Sequence, residues 1–366
     1  MKLRDLVNAH VRDLAPYVPG KPVEELEREL GISGSVKLAS NESPIGPSRR
    51  AVEAIFAAAE NLNRYPDDSC FALRDALAKH LGVGAESLCF AGGSDGILDL
   101  LAKCFLAPGD EALFPWPSFA MYPIMTRGAG ATPVQVPLDR DFRADVSALL
   151  GAVTPRTRLL VLANPNNPTG TSIGAADFRR LVRELPERVV LAADEAYFEF
   201  VRRSDFPDSV ALLRERQTLV VLRTFSKAYA LAGLRIGYAI ADSELIGYLE
   251  RARHPFIVNS LAQVAAAAAL ADRAHTARIR DLTHAGIAQI EAGLRELGLR
   301  SAETDANFLL VEVGADADVL QERLLRHGVI TRPLGGFGLK THLRVSVGTA
   351  EENERFLSSL AAERKR

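Results

Sequence analysis

Residues 223–238 read RTFSKAYALAGLRIGY. Lys227 follows directly on the apolar run TLVVLRTFS, in a chain with eight lysines and thirty-six arginines. An ammonium at the end of a buried strand either snorkels, stem packed and head in water, or is a reactive amine that burial and neighbouring cations keep neutral. The run itself decides the fold. It has two counterparts, RLLVLAN (158–164) and RVVLAAD (188–194), each apolar on both faces over four to seven residues. That is the pattern of central parallel strands. Helical stretches such as GAADFRRLVRELP (174–186) lie between them, and the alternation predicts an α/β doubly wound sheet.

In open α/β sheets ligands sit outside the carboxyl ends of the strands. Here all three strands end in polar residues. The first runs into NPNNPTG, with Asn164 and Asn167; the second ends in Asp194, followed by Glu195 and Tyr197; the third ends in Thr224, Ser226 and Lys227. One buried Asp is ordinarily a structural acceptor, but Asn, Asp and Lys at three consecutive strand ends converge on one crevice. A fourth element, GGSDG (92–96), opens a helix directly after the strand SLCFAGG. Glycines permit close backbone approach, and free N–H groups at a helix start receive an anion. Nucleotide binding is not the leading reading. No GxxxxGK[ST] loop exists, GAGATP at 128 lacks the third glycine, and GGFGLK at 335 opens no helix. A phosphate cradle, a lysine amine, a carboxylate at a neighbouring strand end, and an aromatic at Trp116 or Phe119 are the parts pyridoxal phosphate requires. Its aldehyde takes the lysine, and its ring nitrogen keeps a proton opposite an ionised aspartate.

The remaining chain bounds the answer. Length, 366 residues, implies about two domains. Net charge −2 and pI ≈ 6.4 give no reason to expect nucleic acid or an anionic membrane as partner. Cys70, Cys89 and Cys104 are unclustered in apolar contexts and read as buried thiols of a reducing compartment. The seven histidines show no metal-ligand spacing, so no metal is expected. The N-terminus carries Asp5 and Asp13 and no apolar core of a signal peptide, and the longest all-apolar run, 264–271, is far too short for a membrane span. A cytoplasmic protein is expected. Residues 1–35 read as an arm, with a helix from Pro22 to Gly31; 36–249 as the large cofactor-binding domain; and 250–366, after an alanine-rich helical region, as a smaller α+β domain. In SCFALRDALAKHLG (69–82), Leu73, Leu77 and Leu81 share one helical face and Gly82 ends the helix.

These motifs carry a resemblance over nearly the whole length. NPNNPTG, ADEAY, TFSKAYALAGLRIGY and LRVSVGT resemble the pyridoxal-phosphate enzymes of the aspartate-aminotransferase fold (fold type I, class I/II). LAPYVPGKP, LASNESPIGPS, NRYPD, GSDGILDLL, FPWPSFAMY and VITRPLGGFGLKTHLRVSVGT are similar, within these, to the histidinol-phosphate aminotransferase family. The resemblance implies that Lys227 holds the cofactor as a Schiff base and then shuttles the proton. Asp194 would pair the ring nitrogen, with Tyr197 and Asn167 on the ring oxygen and Phe119 stacked on the ring. Ser94, Asp95, Thr224, Ser226 and Arg235 would bind the phosphate, and Tyr65 would reach the phosphate of a partner subunit in a homodimer. Arg344 would bind the acidic group of the substrate, with Tyr17, Asn41 and Arg332 near it. The implied reaction passes the amine of L-histidinol phosphate to 2-oxoglutarate by a ping-pong route, giving imidazole-acetol phosphate and glutamate. Alternatives are an aromatic amino-acid aminotransferase, a decarboxylase of a phosphorylated amino acid, and a non-catalytic pyridoxal-phosphate-sensing regulator, for which the arm is too short to hold a DNA-binding domain. The chain departs from the family at Gly96, often Glu, and at Phe119, often Tyr.

Overall fold

Strand residues that alternate between two apolar cores explain why the runs lack a polar face. In the computed structural model, which describes residues 2–17 and 19–364, β1 is Val36–Lys37, β2 Leu88–Ala91, β3 Glu111–Trp116, β4 Thr132–Pro137, β5 Thr157–Ala163, β6 Val190–Asp194, β7 Leu219–Thr224 and β8 Gly237–Ala241. The seven strands β2 to β8 form one sheet in the order β2-β8-β7-β6-β5-β3-β4. Only β8 runs antiparallel to its neighbours β2 and β7; the other pairs are parallel. Along β5, Leu159 and Val161 enter one core with helices Ser94–Phe105 and Ser243–Ala252, while Leu160 and Leu162 enter the other with helix Ala175–Glu184. Period-two alternation into two covered faces is what a buried parallel strand needs.

The remaining strands are β9 Arg300–Ser301, β10 Phe308–Glu312, β11 Val329–Ile330, β12 Arg332–Leu334 and β13 Leu339–Ser346. A four-stranded antiparallel sheet orders them β12-β13-β10-β9, and β11 pairs parallel with β1. Leu309, Val311, Leu343 and Val345 of this sheet share a core with Leu38 and with Ile287, Ile290 and Phe356 of flanking helices. The chain therefore visits the small unit at residues 36–38 before building the large one.

The expected edge at 249/250 falls inside a packed unit. Leu249 is buried within helix Ser243–Ala252. The next helix, Ser260–Ala271, sets Ala262, Ala265, Ala266 and Ala269 into the same core as Leu73, Leu77, Phe90 and Tyr238. Alanine's short side chain lets that helix approach closely, and its high helix propensity holds the run helical. Nor is the segment before 36 free of the body: helix Val23–Leu30, ended by Gly31 at φ 64°, lays Leu26 on Ala39 and Ile330. The helix predicted from Leu73 and Leu77 spans Phe71–Leu81, and Gly82 ends it at φ 69°. The three cysteines are free, and no helix among the described residues is long and apolar enough to cross a membrane.

Candidate active site

Strands β5, β6 and β7 are neighbours whose ends stand in register, Ala163 opposite Asp194 and Asp194 opposite Leu222. Whatever follows each strand must therefore meet at one edge. There a cleft of about 250 Å³ opens between the large sheet and the β12–β13 hairpin. Tyr17, Asn41, Ser94, Asp95, Phe119, Asn167, Asp194, Tyr197, Thr224, Ser226, Lys227, Arg235, Arg332 and Arg344 all line it. Tyr65 does not. It is 82 % exposed and stacks on Phe256, ring centroids 4.7 Å apart, outside the cleft of its own chain. Glu195, which directly follows Asp194, turns away and forms a buried ion pair with Arg223 at 2.8 Å, the guanidinium lying 3.6 Å over the Phe198 ring.

The question raised by Lys227 is answered by its surroundings. Its Nζ donates a 3.3 Å hydrogen bond to the Ser40 carbonyl and sits 5.8 Å from the Tyr197 ring centre. Burial first, then the guanidiniums of Arg344 and Arg235, bring the amine down from 10.5 to about 8, against the opposing pull of Glu42 and Asp95. A snorkelling lysine would keep its full basicity; this one loses much of it.

Asp194 is 5 % exposed. Its Oδ2 accepts the Tyr122 hydroxyl at 2.8 Å and its Oδ1 the Ala196 N–H at 3.2 Å. Burial pushes the carboxyl up to about 6. Among the described residues no cation bonds to this carboxylate, although it lines the cleft. A buried carboxylate of that kind fits the protonated nitrogen of a bound ring, which would supply the missing positive charge.

The anion cradle is built from backbone. Helix Ser94–Phe105 starts after Gly93, whose φ of 97° suits glycine. A Cβ on Gly237, the first residue of β8, would lie 2.4 Å from the Ser94 nitrogen, so only glycine lets strand and helix start meet. Around this helix start, the Thr224 and Ser226 hydroxyls are linked at 2.9 Å, and Arg235 reaches Asp95 at 2.8 Å and the Gly92 carbonyl at 3.3 Å. Helix-start N–H groups with two hydroxyls and a guanidinium suit a phosphate. Gly96 faces β2: a Cβ there would stand 2.9 Å from that of Ala91, so any side chain must push the strand aside.

On β13, Arg344 donates from Nη1 to Asn167 Oδ1 at 2.6 Å and from Nη2 to the Ala39 carbonyl, while its buried Nε has no hydrogen-bond partner among the described residues. Arg332 stands directly across the β12–β13 pair from Arg344. Two guanidiniums side by side at a cleft favour an anion between them. Asn41, at φ 52°, donates to the Tyr197 hydroxyl at 2.9 Å and from its backbone to Ser346 at 2.8 Å. Asn307 donates to the Asn41 carbonyl at 3.1 Å. Ser40, Ser346, Asn307 and Tyr122 went unnoticed in the sequence. Ser40 and Ser346 lie within LASNESPIGPS and LRVSVGT but carry no chemical signal of their own there, Asn307 lies just before β10 outside any motif, and Tyr122 reads as one more apolar position beside Phe119. Among the described residues no group of three or more His, Cys, Asp or Glu could hold a metal.

The profile of the family "Aminotransferase class I and II" matches residues 33–360. Histidinol-phosphate aminotransferase 1 of Nitrosococcus oceani is 45 % identical over 355 residues, 97 % of this chain and 96 % of that protein. The histidinol-phosphate aminotransferase of Moorella thermoacetica is 44 % identical over 96 % of this chain and 91 % of its own length. Among solved structures, histidinol-phosphate aminotransferase from Sinorhizobium meliloti in complex with pyridoxal 5'-phosphate superposes with a TM-score of 0.91 at 30 % identity, over 97 % of this chain and 96 % of that one. Thermus thermophilus aspartate aminotransferase with maleate gives a TM-score of 0.84 at 27 % identity, over 96 % and 99 %.

Proposed function

Because the chain belongs to the class I and II aminotransferase family, we propose that it transfers the amino group of L-histidinol phosphate to 2-oxoglutarate. The products are imidazole-acetol phosphate and glutamate, and pyridoxal phosphate is the cofactor. The observation that carries the reading is the cleft itself, lined by Lys227, Asp194 and the Arg344–Arg332 pair, in a chain aligned almost end to end with relatives named for this activity. When bound, pyridoxal phosphate supplies an aldehyde that takes up the amine and a protonated ring that accepts the electron pair released at the donor carbon.

The chain's own residues do the rest. Lys227 is the covalent anchor and, once released, the base that carries a proton off the donor carbon; an amine near 8 is basic enough to accept it and neutral enough to be available. Asp194 would hold the proton on the ring nitrogen. Tyr197 and Asn167 would hydrogen-bond the ring oxygen, with Phe119 beside the ring. Ser94, Asp95, Thr224, Ser226 and Arg235 would take the cofactor phosphate. Arg344 serves both substrates in one site, since its planar fork pairs with phosphate and carboxylate alike; Arg332, Tyr17 and Asn41 line the same end. Tyr65 serves the partner's site in a homodimer. Phe56, Leu62, Tyr65 and Phe71 are strongly exposed in the single chain and are the apolar side chains a second copy would cover. The three free cysteines support a reducing compartment such as the cytoplasm.

The test is a half-reaction screen. Protein loaded with pyridoxal phosphate receives one amino donor at a time while cofactor absorbance is followed. Histidinol phosphate should exceed phenylalanine and tyrosine by a large margin in kcat/KM. A preference for the aromatic amino acids would move the chain to another substrate class, with cofactor and lysine unchanged.

A further inference from the structure

Tyr122 is a buried polar group that the reading above leaves without a role. It is 0 % exposed, and Phe114 and Phe119 hold its ring with centroids at 5.8 and 5.7 Å, the second edge-on at 89°. Its hydroxyl reaches past them to Asp194 Oδ2 at 2.8 Å. We propose that Tyr122 is a positioning residue for the reaction, fixing the Asp194 carboxylate and keeping it ionised so that it can hold the cofactor's ring nitrogen. The inference rests on the role proposed for Asp194.

Three observations support it. The carboxylate is pinned at both oxygens, by the Tyr122 hydroxyl and the Ala196 N–H, so its plane and remaining lone pairs are set before any ligand arrives. A hydrogen bond donated to a carboxylate favours the charged form, and here it is the first influence opposing burial. The direction of donation is fixed as well: burial and the adjacent carboxylate hold the phenol's proton well above its ordinary range, so Tyr122 stays a donor. A phenylalanine would fill the same space and leave Oδ2 buried without its partner.

The experiment is a double-mutant cycle on the full-length protein: wild type, Tyr122→Phe, Asp194→Asn and the pair. Each is stripped of cofactor, titrated with pyridoxal phosphate by absorbance, and then assayed for turnover; thermal unfolding of each stripped protein checks folding. Tyr122→Phe should weaken cofactor affinity on the order of 10-fold, the scale of one buried charge-assisted hydrogen bond. It should lower kcat more than it raises the donor KM. On the Asp194→Asn background it should add less than about 3-fold, because the two side chains act as one unit. An equal loss on both backgrounds, or unchanged affinity in Tyr122→Phe, would overturn the inference. Should Asp194→Asn itself bind and turn over like wild type, the role of Asp194 fails, and the inference with it. Damage in Asp194→Asn without damage in Tyr122→Phe sinks the inference alone.

Discussion

Lys227 shows how far a single side chain's chemistry depends on its surroundings. In the cofactor-free protein its pKa of about 8 lies below the ordinary 10.5. Between those values the unfolded chain binds more protons, so this group's contribution to stability rises with pH from about 8 to 10.5 and is a full cost below 8. Stripped wild type should therefore gain stability relative to stripped Lys227→Met across that window, with a constant difference below it, as denaturant unfolding at a series of pH values would reveal. With cofactor and substrates, Lys227→Met should fold and lose on the order of 10²–10⁴-fold in turnover from the missing proton shuttle alone; near wild-type turnover would refute the assignment. The arginines divide differently. Arg344 is half-buried and bonded to Asn167, so Arg344→Ala should damage both half-reactions, by about 30- to several-thousand-fold for a lost desolvated charge contact of roughly 2–5 kcal/mol. Arg332→Ala should harm the histidinol-phosphate half-reaction more than the glutamate one, since phosphate has more charge and more acceptor oxygens. Single-turnover rates of the two halves measure this directly.

At the scale of elements, the site is a set of strand ends and one helix start. The parallel neighbours β5, β6 and β7 deliver Asn164, Asp194 and Thr224 to one edge, and β8 returns antiparallel to press Gly237 against Ser94. That last contact is backbone on backbone, so it cannot yield as a flexible side chain can. Gly237→Ala should push β8 from the helix start, costing about 1–3 kcal/mol by overpacking and weakening pyridoxal-phosphate affinity through the displaced N–H groups. Gly233→Ala is the control: a Cβ there meets nothing within 4 Å, and both properties should hold. Thermal unfolding and cofactor titration of the two variants compare them; equal behaviour would mean the close approach does not govern the cradle.

For the whole molecule, the cleft lies where two packing units meet, and Tyr65 lies on neither of its walls. If Tyr65 serves a partner's site, the two-fold axis lends each subunit's residue to the other. Inactive Tyr65→Ala and Lys227→Ala subunits, mixed and allowed to exchange, should form heterodimers with one doubly damaged site and one intact site. Activity should then recover to about a quarter of wild type per total site, half the dimers being mixed and half their sites whole. No recovery with exchange confirmed would place Tyr65 within its own chain's function or outside function altogether.

The three apolar runs, the polar residues that end them and the GGSDG turn determined the sheet, the side of it that binds, and the chemistry available there. These signals are local, set by side-chain period and by the residue types that chemistry requires. The tertiary structure alone decided which side chains share a wall. Tyr122 reaches Asp194 across 72 residues and Asn41 reaches Tyr197 across 156, contacts with no periodicity to betray them. It alone set residues 36–38 into the small unit and helix Ser260–Ala271 against the large one, because apolar surface is buried wherever shapes fit and not in the order of the chain. And it alone showed Tyr65 outside its own cleft, since a residue's distance from a site in space is not carried by its distance in sequence.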